Sequence, residues 1–329
     1  MSADSLIGGN LLSIEDLSAD GLAEVLEVAE SFVEVNGRSV KKIPVLKGRV
    51  IASLFFEEST RTRLSFETAA KRLSADVLSL AVASSSVKKG ESLKDTIETI
   101  EALGIDAVVL RHRSSGAAHQ VSRWVKEAKV INAGDGTHEH PSQALIDLFT
   151  VRRAVAERRG VDSRGSGLAL LAGARVLIIG DIVHSRVARS EMLAYAKAGA
   201  QVRVIGPGTL VPGNVEIYGA ERAENLDVEL AEADVVSLLR MQEERGSGRF
   251  VPSLHEFSTL YGIDERRARL IRDDAVITHP GPMVRGVEVS SLVADDPRMV
   301  VREQVTNGVP IRMAILFLAL STRGEMVNV

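Results

Sequence analysis

Hydroxyl and guanidinium groups are concentrated in one short stretch, FFEESTRTRLSFE. Between the apolar run VIASLFF and an amphipathic pattern, the chain places Ser59, Thr60, Arg61, Thr62 and Arg63. Free N–H groups at a helix start attract anions, and arginine forks bind phosphate oxygens. The alternative is a helix capped by Ser59 or Thr60 with a charged first turn. Because arginine at a helix start opposes the helix dipole, we favour a bound anion.

A second polar stretch, NAGDGTHEHPSQ, places His140 directly before the start of a predicted helix. An imidazole there can donate to a carbonyl oxygen and polarise it, although a structural histidine is the simpler alternative. The spacing of His138, Glu139 and His140 is unusual for metal ligands on one helical face, and no third ligand cluster is evident. We therefore predict no metal.

Three arginines, Arg111, Arg186 and Arg240, lie at or shortly after the ends of predicted strands. Alone, each would be interpreted as a surface residue. Gln242 lies two residues after Arg240, so the two side chains share a face of an extended segment and could grip a carboxylate. Two polar loops complete the set. SSSVKKGE precedes a helix, and its Ser85, Lys88 and Lys89 could reach a phosphate or carboxylate, although a solvated loop is the more common meaning of such a run. HPGP predicts a tight turn after a strand.

The strand-turn-helix pattern RVLIIGDIVHSR offers a rival interpretation, a nucleotide site. Only Gly180 lies in the turn and no GxGxxG is present, so the dinucleotide signal is weak.

Strand-like runs alternate with helical patterns along the whole chain. Strands are predicted at 50–56, 75–81, 107–111, 130–133, 174–181, 200–206, 234–240 and 275–280. Helices are predicted at 14–34, 60–73, 92–103, 117–127, 141–156, 185–198, 253–271 and 304–321. This alternation predicts an α/β fold of two domains, each a parallel sheet flanked by helices.

The Gly- and Ser-containing stretch at 157–174 indicates a boundary near residue 150. We predict domains at 1–150 and 151–303, with the C-terminal helix, 304–322, crossing back to the first domain.

Composition restricts the class of protein. The chain has 329 residues, 45% hydrophobic, no cysteine and a net charge of −4. The acidic balance disfavours nucleic acid as a partner, and thiolate chemistry is excluded. No signal-peptide pattern opens the chain, and the run MAILFLAL is too short to span a bilayer. We expect a soluble, cytoplasmic protein.

The motifs together resemble those of the transcarbamoylase family. FFEESTRTRLSFE resembles its carbamoyl-phosphate signature, and HPSQ resembles the HPTQ motif of the aspartate-specific members. Ornithine-specific members typically carry a cysteine there. At least five motifs occur in the family's order, from LLSIEDLS to the last helix. Val284 is a modest departure, since bacterial members often read MNRGVE where this chain reads MVRGVE.

The resemblance implies transfer of the carbamoyl group of carbamoyl phosphate to L-aspartate, early in pyrimidine synthesis, without a cofactor. It implies that Arg61, Thr62, Arg111 and His140 are catalytic. Carbamoyl phosphate would contact Ser59, Thr60, Arg61, Thr62, Arg111, His140, Gln143, Gly281 and Pro282. Aspartate would contact Lys89, Arg186, Arg240 and Gln242. Glu57 is expected to balance a nearby arginine, for which the resemblance favours Arg186.

The resemblance also implies a homotrimer whose sites are shared, with Ser85 and Lys89 supplied by the adjacent subunit. The register of Ser85 is open, because Ser84, Ser85 and Ser86 adjoin. Some relatives assemble further with regulatory chains or dihydroorotase. Two alternatives stay open: a transcarbamoylase acting on ornithine or another amino acid, and a non-catalytic anion-binding homologue. A nicotinamide enzyme is a distant third.

Overall fold

The structure is a computed structural model that describes residues 5–80, 91–241 and 253–322. The chain divides into two compact units. Unit 1 comprises residues 1–145 and 306–329, and unit 2 comprises residues 146–305.

Unit 1 is built on a four-stranded parallel sheet in the order β2-β1-β3-β4. Its strands are β1 Val50–Phe55, β2 Asp76–Leu80, β3 Ala107–His112 and β4 Lys129–Asp135. The helices that accompany them are α1 Ala19–Gly37, α2 Thr60–Arg72, α3 Leu93–Glu101 and α4 Ala117–Trp124. Buried aliphatic side chains of β1, β3 and β4, among them Leu54, Leu110 and Val130, form the core against α3 and α4.

Unit 2 is built on a five-stranded parallel sheet in the order β7-β6-β5-β8-β9. Its strands are β5 Arg175–Ile179, β6 Gln201–Ile205, β7 Ala220–Arg222, β8 Val235–Leu238 and β9 Val276–Thr278. Four of its helices are α6 Arg186–Lys197, α7 Leu226–Glu232, α8 Leu254–Tyr261 and α9 Glu265–Ala268. The division between the units falls within two longer helices, α5 Pro141–Arg159 and α10 Val301–Leu320.

The C-terminal part of α10 packs in unit 1. Phe317 contacts Phe32 of α1 edge to face, with ring centroids 5.8 Å apart. Arg312 donates to Ser65 Oγ of α2 at 2.9 Å, and the Gly8 N–H donates to the Leu318 carbonyl at 2.9 Å. The predicted return of the C-terminal helix to the first domain is therefore confirmed. No helix among the described residues is long and apolar enough to cross a membrane.

The predicted α/β class is confirmed, and most elements lie where the hydrophobic pattern indicates. The apolar stripe predicted for α2 is buried at Phe66, Ala69 and Ala70. Two short elements, β7 and α7, are absent from the prediction. The helix predicted at 253–271 is instead two helices, α8 and α9. Gly262 separates them, and a Cβ there would lie 2.5 Å from the Ser258 carbonyl oxygen.

Candidate active site

In unit 1, the carboxyl ends of three neighbouring strands bring the predicted residues to one edge of the sheet. Phe55 of β1 pairs with Arg111 of β3, and Leu110 pairs with Asn132 of β4. The segment 59–62 follows β1, Arg111 is the penultimate residue of β3, and His140 follows β4. Because parallel strands end at the same edge, where α/β proteins bind ligands, these residues follow neighbouring strand ends at one edge of the sheet.

The start of α2 is unusual among the serine-capped helices. Ser18, Ser92 and Ser253 each accept a hydrogen bond from a backbone N–H in the first turn of their helices. Ser59 occupies the same N-cap position, but its side chain makes no capping hydrogen bond. The hydroxyl and the first-turn N–H groups therefore do not satisfy each other, which suits an anion-binding helix start.

Solvent exposure changes sharply within the first turn of α2. Arg61 is exposed, whereas Thr62 is buried, with 7% of its surface accessible. No acidic residue lies in this turn to match the helix dipole. A bound anion would supply the missing negative charge.

Arg111 is held in place from both sides. Its Nη2 pairs with Glu57 Oε1 at 2.9 Å, and its Nη1 donates to the Ala133 carbonyl at 3.1 Å. Only 12% of the side chain is exposed. The guanidinium is thus fixed between the segment after β1 and the end of β4. The sequence predicted an arginine partner for Glu57 but favoured Arg186, so Arg111 is a partner that it did not name.

Asp135, at the end of β4, organises the segment that carries His140. Its buried carboxylate accepts hydrogen bonds from Asn132 Nδ2 at 2.9 Å and from the Gly116 N–H at 2.7 Å. His138 Nδ1 lies 3.1 Å away, and the Glu139 N–H donates at 3.3 Å. Burial alone would raise the pKa of Asp135, but these partners outweigh it and lower the pKa.

The residue before His140 is anchored by the N-terminal segment of the chain. Ser13 Oγ donates to Glu139, and the Ile14 N–H donates to Glu139 Oε2 at 2.9 Å. His140 is buried at the start of α5, where Ser142 Oγ lies 3.4 Å from its Nδ1. The residue before His140 is therefore anchored, and the imidazole itself has a neighbour in Ser142.

Gln143 lies in the first turn of α5, partly exposed, and its backbone N–H donates to the His140 carbonyl at 2.9 Å. Three predicted residues, Ser85, Lys89 and Gln242, lie outside the described residues.

In unit 2, a second set of predicted residues gathers in the same way. Strands β5, β8 and β9 are neighbours, so their carboxyl ends meet at one edge. Arg186 follows β5, Arg240 follows β8, and the loop containing Gly281 and Pro282 follows β9. The Gly281–Pro282 peptide bond is cis.

Arg186 is the first residue of α6 and is buried to 3% exposure. Ser185 caps the helix, since its Oγ accepts from the Ala188 N–H at 3.1 Å. In the preceding turn, Asp181 is fully buried and both of its oxygens lie 3.0 Å from His184 Nδ1. Burial raises the pKa of Asp181, and the contacts with His184 offset only part of that effect.

Glu288 connects the two loops that follow β8 and β9. Its oxygens accept from the Met241 N–H at 2.8 Å and from the Val284 N–H at 2.9 Å. Burial raises the pKa of Glu288, although these N–H groups favour its charged form. The backbone next to Arg240 is therefore tied to the loop that carries Pro282. In the sequence, Glu288 was only the last residue of MVRGVE and was given no role.

Within residues 5–80, 91–241 and 253–322, no group of three or more histidines and carboxylates is arranged to hold a metal ion. The three residues considered for a metal, His138, Glu139 and His140, are engaged by protein contacts instead, as described above.

Comparison with known protein families gives matches over both units. Residues 9–153 match the aspartate/ornithine carbamoyltransferase carbamoyl-P binding domain, and residues 172–319 match the Asp/Orn binding domain of the same family. The aspartate carbamoyltransferase catalytic subunit of Frankia casuarinae is 52% identical over 320 residues, which cover 97% of this chain and 96% of that protein.

Solved structures of aspartate transcarbamoylase from Trypanosoma cruzi are also similar. Its complex with carbamoyl phosphate and aspartate has a TM-score of 0.83 and 29% identity, covering 98% of this chain and 99% of that one. Its complex with carbamoyl aspartate and phosphate has a TM-score of 0.81 and 28% identity, covering 98% of each chain.

Proposed function

The chain belongs to the aspartate/ornithine carbamoyltransferase family, and on this premise we propose that it is an aspartate carbamoyltransferase. It transfers the carbamoyl group of carbamoyl phosphate to the amine of L-aspartate, giving N-carbamoyl-L-aspartate and phosphate. This product serves pyrimidine synthesis. The observation that carries the proposal is the convergence of the α2 start, Arg111 and His140 at one sheet edge in unit 1.

We propose that unit 1 binds carbamoyl phosphate. The phosphate lies at the start of α2, where Ser59, Thr60, Arg61 and Thr62 supply hydroxyl, guanidinium and backbone N–H donors. The missing cap at Ser59 supports this assignment, because a phosphate oxygen takes the place of the intramolecular partner. Gln143 and the carbonyl groups of Gly281 and Pro282 contact the carbamoyl group.

Three donors, Thr62, Arg111 and His140, stabilise the carbonyl oxygen as it gains negative charge in the tetrahedral intermediate. The fixed position of Arg111 between Glu57 and Ala133 supports this role, because preorganised donors need no rearrangement during the reaction. A hydrogen bond from Ser142 to His140 Nδ1 would place the ring hydrogen on Nε2, the tautomer that donates to a carbonyl.

Unit 2 recognises aspartate. Two arginines, Arg186 and Arg240, match the two carboxylates of the substrate, and Gln242 and Lys89 complete the set. The cationic side chain of ornithine offers no second carboxylate, so this pair of arginines favours aspartate. Binding orients the neutral amine toward the carbonyl carbon. The departing phosphate accepts the proton that the amine loses, and the reaction requires neither a metal nor a cofactor.

Replacement of His140 tests the oxyanion role. We expect His140→Ala to lower kcat about 10²–10³-fold, as the loss of one oxyanion donor typically does. His119→Ala removes a different imidazole of unit 1, one that is only partly buried, and as the control it should leave kcat unchanged. An unchanged rate for His140→Ala would remove this residue from the mechanism.

We propose that the active form is a cytoplasmic homotrimer, in which Ser85 and Lys89 of one subunit complete the site of its neighbour. Hybrid trimers of Arg61→Ala and Lys89→Ala chains test this sharing, since some sites would then lack neither residue. Activity should reappear on mixing. No recovery in trimers shown by mass spectrometry to be mixed would contradict a shared site.

A further inference from the structure

A series of buried, hydrogen-bonded polar side chains crosses the interior of unit 2 and ends at the loop after β9. Four side chains form it: Asp147 of α5, Glu191 of α6, Ser237 of β8 and Gln304 of α10. Each has at most 4% of its surface exposed. Such groups are costly to bury unless they are fully hydrogen-bonded, so their arrangement calls for an explanation.

Gln304 connects a carboxylate to a backbone amide. Its Nε2 donates to Asp147 Oδ1 at 2.6 Å, and its Oε1 accepts from the His279 N–H at 3.1 Å. Because one neighbour only accepts and the other only donates, a single orientation of the Gln304 amide satisfies both. The His279 ring continues the series, since its Nδ1 accepts from the Gly281 N–H at 2.8 Å.

The other end of this hydrogen-bonded series is a pair of carboxyl groups. Glu191 hydrogen-bonds to Asp147, which requires a proton on one of the two. Burial raises the pKa of Glu191, and the charge of Asp147 raises it further, which favours the protonated form of Glu191. Ser237 Oγ lies 2.9 Å from Glu191 Oε2. Asp147 Oδ1 is the acceptor that orients the Gln304 amide.

We infer that Gln304 is a positioning residue. Asp147 orients its side-chain amide, and this amide holds the His279–Gly281 backbone in the position that the reaction requires. The inference rests on the proposed function, because that function assigns the Gly281 and Pro282 carbonyls to the carbamoyl group. The loop needs such a tether for two reasons. Strand β9 has only three residues, and Gly281 has a φ of 66°, a conformation available mainly to glycine.

Gln304→Met is the variant of choice, because methionine nearly fills the volume of glutamine and makes neither hydrogen bond. Displacement of a reacting group by about 1 Å costs roughly 10²-fold in rate. We therefore expect kcat to fall about 10- to 100-fold. The KM for aspartate should change much less, because Arg186 and Arg240 keep their positions.

Two variants at Glu191 provide the matched comparison. The amide of Glu191→Gln can still donate to Asp147 and should leave kcat within about threefold of wild type, because the orientation of Gln304 survives. Glu191→Ala removes the donor and should resemble Gln304→Met. If both Glu191 variants lose activity equally, the orienting role of the carboxyl pair is refuted.

Hydrogen exchange of ligand-free protein tests the tether without any reaction. Amides of the 279–281 segment should exchange at least about tenfold faster in Gln304→Met and at the wild-type rate in Glu191→Gln. If Gln304→Met lowers the melting temperature but leaves both the exchange rates and kcat unchanged, the inference is overturned, because Gln304 would then contribute only to packing. If wild type makes no carbamoyl aspartate, the proposed function fails, and the exchange rates still decide whether Gln304 holds the loop.

Discussion

Replacement of Asp135 should unfold the His140 region, because this carboxylate is the hub of hydrogen bonds at the end of β4. In Asp135→Ala, the Gly116 N–H and the Asn132 amide lose acceptors at 2.7 and 2.9 Å in a buried site. Hydrogen bonds to charged groups contribute about 1.5–3 kcal/mol each. Two of them give a loss of about 3–6 kcal/mol in the free energy of unfolding, which is large for one substitution.

Asp135→Asn removes the charge of this side chain while keeping nearly its shape. One side-chain oxygen still accepts from Asn132, but the new amide faces the Gly116 N–H, a donor, so one hydrogen bond is lost. The expected cost is about 1.5–3 kcal/mol. Asp274→Asn is the control, because Asp274 forms an ion pair with Arg272 at a largely exposed position and should cost less than about 1 kcal/mol.

Urea unfolding at fixed protein concentration measures these differences, and its dependence on pH supplies a second check. The pKa of Asp135 is lowered in the folded state, so its contribution is present above the ordinary value of 3.8. It disappears as the pH falls through the lowered pKa. The gap between wild type and Asp135→Ala should therefore shrink below about pH 4. Equal stability of the two at pH 7, or a gap that persists unchanged at pH 3, would refute this explanation.

Three further predictions concern single substitutions, the first of them with a matched control. Ser59→Ala should raise the KM for carbamoyl phosphate and leave the melting temperature nearly unchanged, because this side chain makes no capping hydrogen bond. The control, Ser92→Ala, removes the N-cap hydrogen bond of α3, so it should lower the free energy of unfolding by about 1 kcal/mol and leave KM unchanged. The pKa of Glu191 is raised on folding, so wild type loses stability as the pH rises above about 4.5, and the melting temperature of Glu191→Gln relative to wild type should climb between pH 5 and 8. The Tyr195 hydroxyl is buried without a hydrogen-bond partner among the described residues, so Tyr195→Phe should be neutral or stabilising by up to about 1 kcal/mol, and a large loss by calorimetry would reveal an unrecognised partner.

Local pattern accounts for what could be predicted. The alternation of apolar runs with amphipathic segments defined both parallel sheets, and the motif after β1 placed Ser59 to Thr62 at a helix start. These features depend on residues close in sequence, where periodicity and turn chemistry act directly. The elements that were missed, β7 and α7, have three and seven residues, too few for a period to emerge.

The supporting carboxylates could not be predicted in the same way. Glu57 meets Arg111 across 54 positions, Glu288 meets Met241 across 47, and Gln304 meets Asp147 across 157. Nothing in the neighbouring sequence distinguishes these acidic residues from exposed ones, because their partners arrive only when the sheets assemble. An acidic residue inside an otherwise apolar or glycine-rich segment, as in NAGDG, is the one signal that could have suggested Asp135.

Product formation with competing amines tests the central claim most directly. Purified protein should be incubated with carbamoyl phosphate and either L-aspartate or L-ornithine, and the products separated and identified by mass spectrometry. We predict N-carbamoyl-L-aspartate and phosphate in equal amounts, and no citrulline. Citrulline would contradict the assignment of Arg186 and Arg240 to aspartate, and the absence of both products from folded protein would contradict carbamoyl transfer itself.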